Sequence, residues 1–182
     1  YANIDGFTGL EEKTPIQDRN ELDRWIISEL NTLIKQVEKN YNDYEPTTVT
    51  RLIQAFVIDK LSNWYVRLSR RRFWKEKYSV EKIAAYQTLH ECLINITIIS
   101  SPIAPFYTDQ LYQDLKKYSH DTFSSVHLSD FPSVNEGYIN DDLQRRVVLA
   151  QKITSVALSL RKKEKIRVRQ PLQKVVIPVL DK

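Results

Sequence analysis

Between Leu22 and Tyr41 the apolar residues Trp25, Ile26, Leu30, Leu33, Ile34, Val37 and Tyr41 recur at intervals of three and four. That spacing lines one side of an α-helix. An amphipathic helix of this length is stable only when other elements cover its stripe. Asp18 or Asn20 stands where a side chain can cap the first turn. The chain has only three glycines in 182 residues, few for a protein rich in strands and turns, so the covering elements are expected to be helices as well.

The order of the chain supports that expectation. Residues 1–17 hold two glycines and a proline without sustained periodicity and read as a leading segment. Asn42 to Pro46 form a turn, and Thr47 or Thr48 starts a second helix that runs on past Leu61. Ser79 caps a third, with Glu81 in its first turn, and its end, CLINITIIS, is apolar on nearly every side, as expected of a central helix. Prolines at 102 and 105 interrupt it. Phe106, Leu111, Tyr112, Leu115 and Tyr118 mark a fourth helix, followed by a connection whose SVHLSDFP patch suits a short strand or an extended run over the outside. Asn140 or Asp141 caps a fifth, with Leu143, Val147, Ala150, Ile153, Ala157 and Leu160 on one face. After Pro171, KVVIPVL reads as a strand without partners. The expected fold is all-α: an antiparallel bundle of four or five helices with a short β-like C-terminal extension and a core holding Trp25, Leu61, Trp64, Leu89, Leu93 and Ile96. Its domain plan is a leading segment 1–17, a helical domain 18–165, and the start of a further region at 166–182. A chain that begins at Tyr1 rather than Met is expected to be a piece of a longer protein.

Several chemistries have no seat here. The single Cys92 and three scattered histidines offer no zinc spacing and fit a reducing, cytoplasmic setting. No span approaches about 20 apolar residues, so no membrane partner is expected. No phosphate-binding glycine loop, dinucleotide fingerprint, HExxH or GxSxG occurs, so no catalytic residue and no metal site is assigned. Asp141 and Asp142 are adjacent on a helix and diverge by about 100°, which suits capping rather than acid-base work. Cys92 lies in an apolar helical run and reads as a small buried hydrophobe, and His90 on the third helix reads as a packing or surface residue.

One stretch stands apart. In LSNWYVRLSRRRFWKEKY, residues 61–78, a helical phase of about 100° per residue places Asn63, Arg67, Arg70, Arg71 and Trp74 in one arc, with Lys60 inside it and Leu61, Trp64, Tyr65 and Leu68 on the neighbouring side. Arg72, Phe73 and Lys75 close the ridge. Guanidinium forks pair with phosphates and flat rings accept unstacked bases, so the ridge suits a structured polyanion. The same residues could serve as a solvated face, or as a docking surface for an acidic protein partner. A second basic run holds Arg161, Lys162, Lys163, Lys165, Arg167 and Arg169; helix C-termini favour positive charge in any case.

On these motifs the chain resembles the anticodon-binding helical domain of class I isoleucyl-tRNA synthetases. YANIDGF at 1–7 is similar to the segment after the catalytic domain of that family, LDRWIISELNTLI at 22–34 to its first bundle helix, and NWYVRLSRRRFW at 63–74 to its most specific motif. SPIAPFYTDQLYQDL, SVHLSDFP and IRVRQPL are similar to the fourth helix, the following connection and the passage to the C-terminal region. The resemblance implies a bundle that binds the anticodon stem and loop of isoleucine tRNA through Lys60, Asn63, Arg67, Arg70, Arg71, Arg72, Phe73, Trp74 and Lys75, with a secondary contact through the Arg161–Arg169 run. It further implies a parent ligase, expected to be a monomer, whose catalytic domain uses ATP and Mg. The HIGH and KMSKS signatures of that chemistry are not in this sequence, so the chain itself is expected to bind and not to aminoacylate.

Overall fold

The computed structural model describes residues 1–74, 77–118 and 123–177. Among them it contains helices and turns and no strand, an all-α helical bundle as expected. Residues Tyr1–Gln144 form one compact unit and Arg145–Lys182 a second.

In the first unit, helix α1 (Ala2–Asp5) leads, through a 3-10 turn at Ile16–Asp18, to the long α2 (Glu21–Asn42). Asn20, rather than Asp18, caps α2 by accepting from the Leu22 amide at 3.0 Å. Trp25, Ile26, Ile27, Leu30, Leu33, Ile34 and Val37 are all buried, so the stripe is covered as its spacing requires. Burial spreads beyond it to Ser28, Glu29 and Asn31, because other segments bond to their polar atoms. Ser28 Oγ accepts from the Asn140 amide at 2.8 Å and from Gln144 Nε2 at 2.7 Å, and Asn31 Oδ1 accepts from the Asn135 amide at 2.8 Å. The long connection is thereby fastened along α2.

A tight turn through Tyr44, whose φ of 57° is left-handed, reverses the chain into α3 (Pro46–Ala55), with Pro46 in the first turn where its missing N–H costs nothing. The same rod continues as a π-helical stretch, Phe56–Val66, and returns to α-geometry in α4 (Arg67–Trp74). Helix α5 (Val80–Ser100) starts at Ser79, whose Oγ accepts from the Lys82 amide. It packs on α2, α3, α4 and α6. Helix α6 (Pro105–Leu115) begins, like α3, with a proline. Cys92 is fully buried, and burial pushes its thiol well above the ordinary range, the state of an inert packing residue. His90 sets Nε2 3.0 Å from the Leu115 carbonyl.

Two expectations need correction. Trp25 and Leu61 are buried, but Trp64, Leu89, Leu93 and Ile96 are only partly covered, and the centre is held instead by Tyr65, Tyr112, Phe56 and Ile99. SVHLSDFP forms no strand: Val126–Leu128 is a 3-10 turn with Val126 buried, and Asp109 Oδ1 accepts from Ser125 Oγ at 2.7 Å and the Val126 amide at 2.9 Å. The leading segment is tied to the bundle: Phe7 is buried against Tyr86 and Tyr118, and Lys82 Nζ lies 2.6 Å from Asp5. Arg19, also buried, donates to the Thr14 carbonyl at 3.0 Å and to Thr88 Oγ1 at 2.9 Å. In the C-terminal extension, residues 174–177 run without a strand partner, as expected, and the rest of KVVIPVL lies outside the described residues.

Helix α7 (Asp141–Lys163) carries the chain from the first unit into the second. Asn140 Oδ1 caps it by accepting from the Leu143 amide at 2.9 Å, and Asp141 and Asp142 occupy its first turn, as capping requires. Leu143 is buried, Val147 and Ile153 are half-buried, and Leu160 is exposed.

Two outcomes are expected from this packing. Trp25→Ala should lower unfolding free energy by about 3 to 5 kcal/mol, the range for a buried indole, whereas Trp64→Ala should cost clearly less; denaturant melts followed by far-UV circular dichroism would measure both. Hydrogen bonds from Lys82 and Tyr86 hold the Asp5 carboxyl below its ordinary value of 3.8. A depressed acid contributes its stabilisation above the unfolded value and loses it as pH falls through the folded one. Amide protection at Phe7 should therefore persist at about pH 5 and be lost below the ordinary carboxylate range.

Candidate nucleic-acid interface

The ridge owes its geometry to the change of helix type inside its rod. In a π-helix each N–H reaches five residues back, so the turn is wider than an α-turn and residue phase advances more slowly. The buried line of the rod runs Phe56, Leu61, Tyr65, Ser69 and Phe73. Its first interval is five, inside the π stretch, and the later ones are four. A uniform α-phase therefore misplaces the flanks: Leu68, expected on the covered side, is exposed, and Trp64 is half-covered.

The forward face keeps the expected grouping. Asn63, Arg67, Arg70, Arg71 and Trp74 are all exposed, and within α4 the last four are spaced as one helical face. No described residue pairs with the guanidinium of Arg67, Arg70 or Arg71. Trp74 presents about half of its surface, 49%, to solvent.

The remaining ridge residues are engaged elsewhere. Arg72 turns inward and grips Asp23 through both ends of its fork, with Nη1 2.8 Å from Oδ1 and Nη2 2.7 Å from Oδ2. Its Nη2 also donates to the Glu81 carbonyl at 3.1 Å, and its Nε faces Glu81 Oε1 at 3.4 Å. Burial opposes the charge on Arg72, but the hydrogen bonds and charge of Asp23 prevail and raise its pKa. Phe73 is buried and stacks on Tyr86 with ring centres 5.5 Å apart. Lys60 donates to Glu29 Oε2, a buried carboxylate whose other oxygen accepts from Trp25 Nε1 at 3.1 Å. Lys75 lies outside the described residues.

Asp23 escaped sequence reasoning, although the signal was present. It stands three, four and seven residues before Ile26, Ile27 and Leu30, on the apolar face of α2, where a carboxylate demands a donor from another element. It receives two from Arg72 and a third from the Tyr65 hydroxyl at 2.7 Å. Burial first, and then the charge of Asp23, pushes the Tyr65 phenol well above its ordinary range, so it stays a donor.

In the second unit, the basic run divides in the same way. Arg161 Nη1 donates to the carbonyls of Arg167 at 2.9 Å and Gln170 at 2.8 Å, closing the turn after α7. Lys162, Lys163, Lys165, Arg167 and Arg169 are exposed. Among the described residues no group of three potential metal ligands occurs, and no helix is long and apolar enough to cross a membrane.

A family model described as the anticodon-binding domain of tRNA ligase matches residues 23–177. The chain is 52% identical over 181 residues to the isoleucine-tRNA ligase of Cytophaga hutchinsonii, covering 99% of this chain and 16% of that protein. It is 51% identical over 182 residues to the ligase of the same name from Bacteroides thetaiotaomicron, with 100% and 16% covered. For Dehalococcoides mccartyi strain CBDB1 the figures are 44% over 176 residues, with 96% and 17% covered. The chain thus spans 16% of the length of the first of these curated relatives.

The buried pair yields a measurable contrast. Asp23→Ala strands the Arg72 charge in a site from which water is largely excluded, and is expected to cost about 3 to 5 kcal/mol of stability. Arg70→Ala, at an exposed position, should change stability by less than ~0.5 kcal/mol. Urea denaturation of the two variants beside the parent chain checks both.

Proposed function

This chain belongs to the anticodon-binding domain family of tRNA ligases, and from that premise we propose that it is the part of an isoleucine-tRNA ligase that grips the anticodon stem and loop of isoleucine tRNA. The observation that carries this reading is the face of α4, where Arg67, Arg70 and Arg71 stand exposed, without a partner among the described residues, beside Asn63 and a half-exposed Trp74. Each guanidinium can hold a phosphate through two parallel N–H bonds, and the indole face can receive a base or ribose. Such contacts place a protein on structured RNA more than they read sequence. The exposed cations of the second unit, Lys162, Lys163, Lys165, Arg167 and Arg169, are proposed as a secondary contact.

The isoleucine assignment follows the names of the relatives, which match over nearly the whole of this chain. In the parent protein, ATP and Mg would serve a catalytic region outside this chain, in the cytoplasm, and the parent would act as a monomer. The proposed organisation is a leading segment 1–17 that follows the catalytic region, a tRNA-binding bundle 18–165, and residues 166–182 opening a further C-terminal region. No aminoacylation is expected of this chain alone.

A titration with isoleucine tRNA and with an unrelated tRNA, at several salt concentrations, tests the reading. Affinity should fall steeply with salt, and Arg70→Ala or Arg71→Ala should weaken binding while reducing the salt slope by about one unit for each phosphate contact removed. If both variants bind as the parent chain does at low and high salt, the ridge does not hold tRNA.

A further inference from the structure

We propose that Arg72 makes no tRNA contact and instead acts through Asp23 as the positioning residue of the ridge, fixing the rotation at which Arg67, Arg70 and Arg71 face outward. This rests on the tRNA-binding reading above. Three successive arginines diverge by about 100° each on a helix, so Arg70, Arg71 and Arg72 cannot all share one face. The structure assigns the inward place to Arg72, whose side chain is 12% exposed against 0% for its partner Asp23. Three of its five N–H donors are bonded, two to Asp23 and one to the Glu81 carbonyl, while the buried Nε lies 3.4 Å from Glu81 Oε1 without a hydrogen bond. A guanidinium turned inward in this way, its charge balanced by the buried carboxylate of Asp23, presents no open fork to a phosphate.

The position of the pair along the rod gives it a second consequence. Tyr65 lies at the end of the π stretch and Arg72 lies in α4, on the two sides of the change in helix type, and one carboxylate holds both. Apolar packing of Phe56, Leu61 and Phe73 fixes the distance of the rod from α2 and α5 but tolerates small rotations. Two directional bonds to Asp23, with the third to α5 at Glu81, do not. Rotation of α4 about its axis would carry every ridge guanidinium away from the phosphate it meets.

The test compares four forms of the chain in titrations with isoleucine tRNA over a range of salt: the parent, Arg70→Gln, Arg72→Lys, and the paired replacement Asp23→Leu with Arg72→Met. The paired form removes both buried charges at similar volume, so it preserves the fold where a single change would leave one charge stranded. Circular dichroism confirms helix content in each. Arg72→Lys and the paired form should bind several-fold more weakly with the parent's salt slope, since no phosphate contact is lost, whereas Arg70→Gln should lower the slope by about one unit. A slope lowered by about one unit in the Arg72 variants would make Arg72 a phosphate contact and overturn the proposal. Parent-like affinity in both Arg72 variants would reduce the pair to a stabilising fastener and overturn it equally. Loss of salt-dependent binding in the parent chain itself would instead remove the function on which the proposal stands, and the proposal with it.

Discussion

The carboxylate of Asp23, wholly shielded from water, is the point on which the arrangement of the bundle turns. An ionised carboxyl in such a place is tolerable only when its oxygens are filled by donors, preferably charged ones. Here the donors come from two parts of the rod that lies against α2, and Arg72 carries the connection onward to the start of α5. The same device recurs nearby. Glu29 is filled by Trp25 and Lys60, Arg19 joins the leading segment to Thr88 and Glu91, and Lys82 with Tyr86 receives Asp5. Hydrophobic burial supplies most of the driving force for such a bundle, but apolar contacts alone admit many rotations. The polar pairs select one.

The sequence exposed the periodic parts of this plan well. The stripe of α2, the cap at Ser79, the prolines that separate α5 from α6, and the grouping of Asn63, Arg67, Arg70, Arg71 and Trp74 all follow from local rules of phase and capping. What escaped was set by partners distant in sequence. Phe7 and Asp5 show no period of their own, and only contact with α5 some eighty residues away explains why the leading segment is ordered. The β-branched and aromatic alternation around Val126 resembles a strand, yet no neighbouring edge exists among the described residues, and Asp109 draws the segment into a tight turn instead.

The candidate site divides along the same line. Counting cationic residues within residues 60–75 overstates the outward charge, because a run of arginines on a helix samples every direction in turn. Lys60 and Arg72 are answered by acids on α2, at Glu29 and Asp23, and neither acid belongs to the motif itself. The π stretch is a second source of error, since the sequence of residues 56–66 carries no mark of it and a uniform α-phase sends Leu68 to the wrong side. That the forward face nonetheless matched its expected members has a simple cause: Arg67 to Trp74 lie in regular α-geometry, so their phase relative to one another does not depend on what precedes them.

The division of charges also bears on why the exposed positions hold arginine. Cations near the end of a helix interact favourably with its dipole, and lysine would serve that purpose equally well. A surface needing only solubility gains nothing from a planar fork. Arg67, Arg70 and Arg71 project from a short helix that is tied from beneath by the buried Arg72–Asp23 ion pair. Bidentate pairing with phosphate is the interaction in which that combination of a rigid mount and a planar donor matters, because it depends on angle as well as distance. On the proposed reading, the buried arginine and the exposed ones form one device, in which the internal salt bridge supplies the geometry and the outward forks supply the attraction.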